Sequence, residues 1–192
     1  PGYSIGMSIV NTGTITRTIA GTINFSKPID NQVGGTVVIP SNAFFTFGAG
    51  SSLTQSGTFT VDGTINFSAM GTYIINEVNS FSGDGTINIL GSPTFNGSVG
   101  WQPIIPNINH SSAFAGNVML TIDNGTTWNW TNGSFTLSNP IINNGTMNLT
   151  GAFAHNTASD ITNNGTINYN DGAFDEGAGG QVLTNTGTLN LN

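Results

Sequence analysis

The chain has 192 residues, of which 36% are hydrophobic and 6% charged, with no cysteine and a formal net charge of -7. Its strong bases are Arg17 and Lys27, too few to track a phosphate backbone or hold an anionic bilayer surface, which excludes nucleic acid as a partner. Without cysteine there are no disulfides or thiolate metal sites, and no apolar run approaches the length of a bilayer span, so no membrane insertion is expected.

In chain order, the recurring signal is Gly-Thr, an apolar residue, Asn and a second apolar residue. It appears as Gly21-Thr22-Ile23-Asn24-Phe25, Gly63-Thr64-Ile65-Asn66-Phe67, Gly85-Thr86-Ile87-Asn88-Ile89, Gly145-Thr146-Met147-Asn148-Leu149, Gly165-Thr166-Ile167-Asn168-Tyr169 and Gly187-Thr188-Leu189-Asn190-Leu191. A step of 20 residues separates Gly145 from Gly165, and 22 separate Gly63 from Gly85. Repeats of this length mark units that bury their apolar face only by stacking on copies of themselves. Degenerate copies fill the longer gaps: Ala43-Phe44-Phe45-Thr46-Phe47, and Asn107-Ile108-Asn109. A second set, Gly13-Thr14-Ile15-Thr16, Gly35-Thr36-Val37-Val38 and Gly57-Thr58-Phe59-Thr60, keeps the step at an offset, as a second face of one coil requires.

Within each phrase the apolar residues alternate with Thr and Asn, so Ile167 and Tyr169 point to one side of a strand and Thr166 and Asn168 to the other. The Asn-Gly, Asp-Gly, Thr-Gly and Ser-Gly pairs before the strands predict sharp turns, being residues that accept positive φ or bond their own backbone. Four-residue strands persist only if each lies about 4.8 Å above its predecessor. The expectation is a single-domain, all-β parallel β-helix (β-solenoid) over residues 1-192, with about nine coils of roughly 20-22 residues and a length of roughly 40 Å. An irregular or decorated coil is expected around 93-117, where Pro103 and Pro106 lack ladder donors. Stacked like charges would repel, whereas Asn and Thr bond along a ladder, in keeping with the low charge.

Runs such as Ile142-Asn143-Asn144-Gly145-Thr146-Met147-Asn148 and Ile161-Thr162-Asn163-Asn164-Gly165-Thr166-Ile167-Asn168 resemble the repeats of bacterial surface and secreted parallel β-helix proteins, including filamentous-haemagglutinin-like and autotransporter-type adhesins. The resemblance covers most of the chain. It implies a bacterial, extracellular or cell-surface, non-enzymatic protein and transfers no catalytic residue. The missing initiator Met is read as processing or excision from something longer.

Candidate sites are few. Asp62 and Asp84 precede strand glycines one coil apart; they read either as solvated turn residues or as a carboxylate pair that flanks a cation or a glycosidic bond. Asp171, Asp175 and Glu176 form the densest acidic cluster, but their spacing fits no standard Ca²⁺ loop, and no metal or cofactor is assigned. Trp128 and Trp130 share one strand face: they stack sugar rings if exposed, and join the core if Thr126 is an inserted residue. Trp101, beside the prolines, marks the expected place for a specific contact. His110 and His155, each isolated, are expected at the surface. The outward ladder comprises Thr64, Asn66, Thr86, Asn88, Thr146, Asn148, Thr166, Asn168, Thr188 and Asn190.

The leading functional expectation is a structural or adhesive rod whose partner is itself, end to end, or neighbouring repeats. One alternative is ice binding through the Thr-x-Asn array. Another is binding or cleavage of a surface glycan.

Overall fold

A computed structural model describes residues 2-177 and 179-192. The described elements are all strands, and every pairing between them is parallel. The chain winds as a three-faced β-solenoid of about nine coils, each about 21 residues long. Sheet A, of ten strands from Gly2–Ile5 to Thr188–Leu191, forms one face, and sheet B, of nine strands from Ile9–Asn11 to Phe174–Glu176, the second. The third face is divided. Sheet C holds Thr14–Thr16, Thr36–Ile39, Thr58–Val61 and Phe81–Ser82, and sheet D holds Leu120–Ile122, Ile141–Asn143, Ile161–Asn163 and Leu183–Asn185.

The repeated phrases are the strands of sheet A, in register: Thr64 pairs with Thr86 and Asn66 with Asn88, and Thr146, Thr166 and Thr188 lie above one another. The offset set forms sheet C, with Thr14 over Thr36 over Thr58. At about 4.8 Å per strand, the ten strands of sheet A span about 43 Å.

The inward positions pile into a continuous core. Ile65, Ile87 and Ile108 follow one file and are fully buried. Aromatic rings carry contact within and between coils: Phe25 to Phe47 and Phe47 to Phe67 at 5.4 Å, Phe67 to Tyr73 at 4.7 Å, Tyr73 to Phe95 at 5.2 Å and Phe95 to Phe114 at 4.8 Å. Such pairs add about 0.5-1.5 kcal/mol each beyond burial.

The positive φ expected of the strand-opening glycines is corrected. Of the six glycines that open the sheet A phrases, Gly21 has positive φ, at 122°, and the other five do not. Their glycine requirement is close approach: a β-carbon on Gly165 would lie 2.1 Å from the carbonyl oxygen of Gly145, and one on Gly85 2.1 Å from that of Gly63. A side chain there would separate the coils.

The 93-117 region combines regular strands with one irregular stretch. Thr94–Gly97, Asn107–His110 and Phe114–Gly116 keep their places in sheets B and A. The irregularity is confined to the stretch where the third face changes from sheet C to sheet D. There Ile104 bridges back to Ser82 and Trp101 forward to Leu120. Pro103 falls between residues that do donate: Gln102 N–H bonds Val78 O, and Ile104 N–H bonds Phe81 O.

Candidate functional site

The outward file of sheet A carries a chain of side-chain amides. Asn190 Nδ2 donates to Asn168 Oδ1 at 2.7 Å, Asn168 to Asn148 at 2.8 Å, Asn148 to Asn129 at 2.9 Å and Asn129 to Asn109 at 3.1 Å. Asn109 then donates to Asn88 at 2.8 Å and Asn88 to Asn66 at 2.7 Å, ending on the Thr46 hydroxyl. The neighbouring outward file is Thr22, Phe44, Thr64, Thr86, Asn107, Thr127, Thr146, Thr166 and Thr188, so Phe44 and Asn107 interrupt it. Among the described residues, the hydroxyls of Thr127, Thr146, Thr166 and Thr188 meet no protein hydrogen-bond partner. Beside them a polar trough of about 360 Å³ is lined by Asn124, Gly125, Asn144, Gly145 and Gly165. A wider cleft of about 550 Å³ opens over Gly57, between Val33 on one wall and Glu77 and Val78 on the other.

The three tryptophans are core residues, and each is fully buried. Trp101, expected as a contact site, instead stacks on Phe95 at 4.6 Å and 10°. The Trp101 indole therefore faces inward, while Ile104 in the same stretch is exposed. Thr126 is the extra residue of its turn, buried, with its N–H on Asp123 O. It shifts Trp128 and Trp130 into the inward slots between Ile108 and His110 on one side and Met147 and Leu149 on the other. No indole face is offered to a sugar ring.

The histidine expectation is overturned as well. His110 and His155 are fully buried, either side of Trp130, with ring centroids 5.8 and 5.1 Å from it. His110 Nε2 meets Ser112 O, and His155 Nε2 meets Trp130 O at 2.9 Å, while both Nδ1 atoms are buried without a partner. Nε2 therefore carries the proton, and the Nδ1 lone pair meets no donor among the described residues. Burial, with a smaller opposing contribution from the Ser112 carbonyl, lowers the His110 pKa from 6.5 to about 3.

Asp62 and Asp84 are exposed turn residues, the Oδ1 of Asp62 accepting the N–H of Asp84 at 3.3 Å. Asp171 Oδ1 accepts the N–H of Gly172 at 2.7 Å, and Asp175 is exposed opposite Asn156. The side chain of Glu176 lies outside the described residues. Among the described residues no group of three acidic or imidazole side chains converges on a metal position.

Sequence reasoning missed a second amide ladder, inside the core. Asn11 Nδ2 donates to Asn31 Oδ1 at 2.7 Å, and Asn31 to Gln55 Oε1 at 3.0 Å. In the other half, Asn143 donates to Asn163 and Asn163 to Asn185, both at 2.6 Å. The signal is legible in retrospect as Asn two residues before Gly at coil corners: Asn11-Thr12-Gly13, Asn143-Asn144-Gly145, Asn163-Asn164-Gly165 and Asn185-Thr186-Gly187.

At the ends, Gly2–Ile5 and Thr188–Leu191 each pair on one side only. The upper end is apolar, with a cleft of about 230 Å³ lined by Ile167, Tyr169, Phe174, Leu183, Leu189 and Leu191. Comparison of the chain with protein-family models, with curated proteins and with solved structures gives no match.

Proposed function

We propose that this chain is a non-enzymatic structural and adhesive segment of an extracellular or cell-surface fibre, held to its neighbours by continuation of the coil stack. The observation that carries the reading is the state of the two terminal coils. Their strands keep one unpaired edge, and Leu191 remains 74% exposed where its counterpart Leu149, two coils below, is fully buried. Unpaired parallel edges over an open apolar core are joined by another coil of the same kind, from further repeats or from another copy. Bacterial surface β-helix proteins, which the repeats resemble, supply the cellular setting.

Electron microscopy of the purified chain at rising concentration tests the reading. Rods that lengthen in steps of about 43 Å, nine strand spacings, are the expected result, and short rods of one length at every concentration contradict it.

A second reading rests on the four consecutive unpaired hydroxyls of Thr127, Thr146, Thr166 and Thr188. Spaced at about 4.8 Å, they form a regular row suited to ordering water at an ice surface. Thermal hysteresis of dilute protein, lost on Thr146→Tyr and Thr166→Tyr, is expected if the row binds ice; zero hysteresis in the parent chain removes the reading.

A further inference from the structure

We propose that the cleft over Gly57 binds a protonated primary amine carried on an unbranched alkyl stem. The site lies on the flank of the rod and does not depend on the fibre reading.

The cleft exists because three successive corners of the coil differ in length. Between sheet B and sheet C, the second coil turns through Gln32-Val33-Gly34-Gly35, the third through Ser56-Gly57 alone, and the fourth through Asn76-Glu77-Val78-Asn79-Ser80. The short corner is recessed between two longer ones, which leaves about 550 Å³. Val33, 80% exposed, stands on one wall and Val78, 37% exposed, on the other. Backbone bonds fix both walls: Gly35 N–H donates to Gln32 O at 2.8 Å, while Val78 O accepts Gln102 N–H at 3.1 Å and Ser80 O accepts Phe59 N–H at 2.7 Å. A preformed site of this kind loses little order on binding. The wall coils are two steps apart, about 9.6 Å, and an alkyl chain in contact with carbon on both sides spans about 7-8 Å. One unbranched stem fills the gap.

The floor is opened at one rung of the backbone ladder. In the coils below, the N–H that follows each corner bonds the glycine carbonyl beneath it, Thr36 to Gly13 O at 2.7 Å and Thr58 to Gly35 O at 2.9 Å. The next rung, Ser80 N–H to Gly57 O, is not made, and among the described residues Gly57 O meets no other donor. That carbonyl points up the stack towards the 77-80 turn, just as Gly35 O points at Gly57. Ser80 also lines the cleft; it is 2% exposed, and its hydroxyl is buried without a partner. Thr58 Oγ1 donates its proton to Thr36 Oγ1 at 3.2 Å and so presents lone pairs.

These groups select a ligand by charge and by donor count. Glu77 is exposed and is the only charged residue among those that line the cleft. Its carboxylate, Gly57 O and Thr58 Oγ1 are all acceptors, set between two valines. An alkylammonium matches them, with three N–H donors, no acceptor and a hydrocarbon stem for the walls. The Ser80 hydroxyl gains the partner it otherwise lacks. A carboxylate or phosphate would face Glu77 without a compensating cation. The net charge of -7 favours the approach of a cation over that of an anion.

Titration of the 192-residue chain with n-pentylamine, read by backbone amide shifts in an isotope-labelled sample, tests the site. Saturable shifts are expected at Gly57, Val78, Asn79 and Ser80, with 1-pentanol and pentanoate at least about fivefold weaker, the scale of one partly exposed ion pair. Glu77→Gln, at an exposed position outside the core, is expected to keep its melting temperature and to lose the same factor in affinity. Asp84→Asn, which removes an exposed carboxylate at another corner, is expected to leave binding unchanged. Nα-acetyl-lysine N-methylamide forms the second arm. Saturation at the same residues assigns the occupant as a lysine side chain of a protein partner, and its exclusion while n-pentylamine still binds assigns a free alkylamine. Equal affinity for 1-pentanol, an equal loss from Asp84→Asn, or shifts that do not saturate overturns the proposal.

Discussion

Single residues decide whether coils can stack. Gly165 has the carbonyl of Gly145 where a side chain would begin, so Gly165→Ala is expected to cost about 1-3 kcal/mol through overpacking. Chemical denaturation measures it, and a neutral result would mean the coils separate more easily than the geometry implies. His110 makes the fold sensitive to acid. Its ring faces Phe114, Trp128, Trp130 and Phe135, none of them charged, with the imidazole of His155 beyond Trp130. Because folding lowers its pKa from 6.5 to about 3, the unfolded chain binds the proton more tightly. The contribution of neutral His110 is therefore fully present above pH 6.5 and is lost as pH falls towards 3. A shift of this size corresponds to on the order of 5 kcal/mol. Urea midpoints are expected to drop from pH 7 to pH 4, and His110→Phe to flatten that drop; an unchanged slope would place the acid sensitivity elsewhere.

At the scale of an element, the two amide ladders look alike in sequence and differ in energy. Asn163 is fully buried and links Asn143 to Asn185, so Asn163→Ala leaves buried amide groups without partners and is expected to cost about 2-3 kcal/mol or more. Asn148, equally bonded to Asn129 and Asn168 but reached by water, is expected to cost no more than about 1 kcal/mol when changed to Ala. Equal costs would contradict the burial assignment. The aromatic strand Thr127–Trp130 gives the sharper effect, since Trp128→Ala opens a cavity in a core with Phe135 at 5.6 Å and Trp101 at 6.3 Å, with an expected loss of about 3-5 kcal/mol. The alternation Thr-Trp-Asn-Trp announced a strand but left the inward side ambiguous. One inserted residue at the preceding turn, Thr126, reverses which side faces in, and turn insertions carry no periodic signature.

For the whole molecule, the architecture was legible because the repeat does two things at once: alternation assigns a strand, and a near-constant step places it over its predecessor. Sheets A and C were visible as two offset phrases. Sheet D was not, because Ile141–Asn143, Ile161–Asn163 and Leu183–Asn185 end on Asn rather than opening on Gly-Thr. The exchange of sheet C for sheet D at Trp101 and Ile104 appeared only as a pair of prolines. The buried histidines were hidden for a related reason: His110 occupies the same inward slot as Ile89 and Trp130, and a single coil does not show that its neighbours accept a polar ring there. The alternation that sets the outward Thr and Asn files could not say that the Asn amides bond one another while four adjacent Thr hydroxyls do not.

The measurement that tests the central claim most directly is the pattern of interstrand backbone contacts in an isotope-labelled sample by NMR. Parallel coils predict N–H to Hα contacts that link Thr146 to Thr166 and Thr166 to Thr188, each about one coil apart in sequence. Contacts that pair consecutive segments as antiparallel hairpins, Thr146–Leu149 against His155–Thr157, would contradict it.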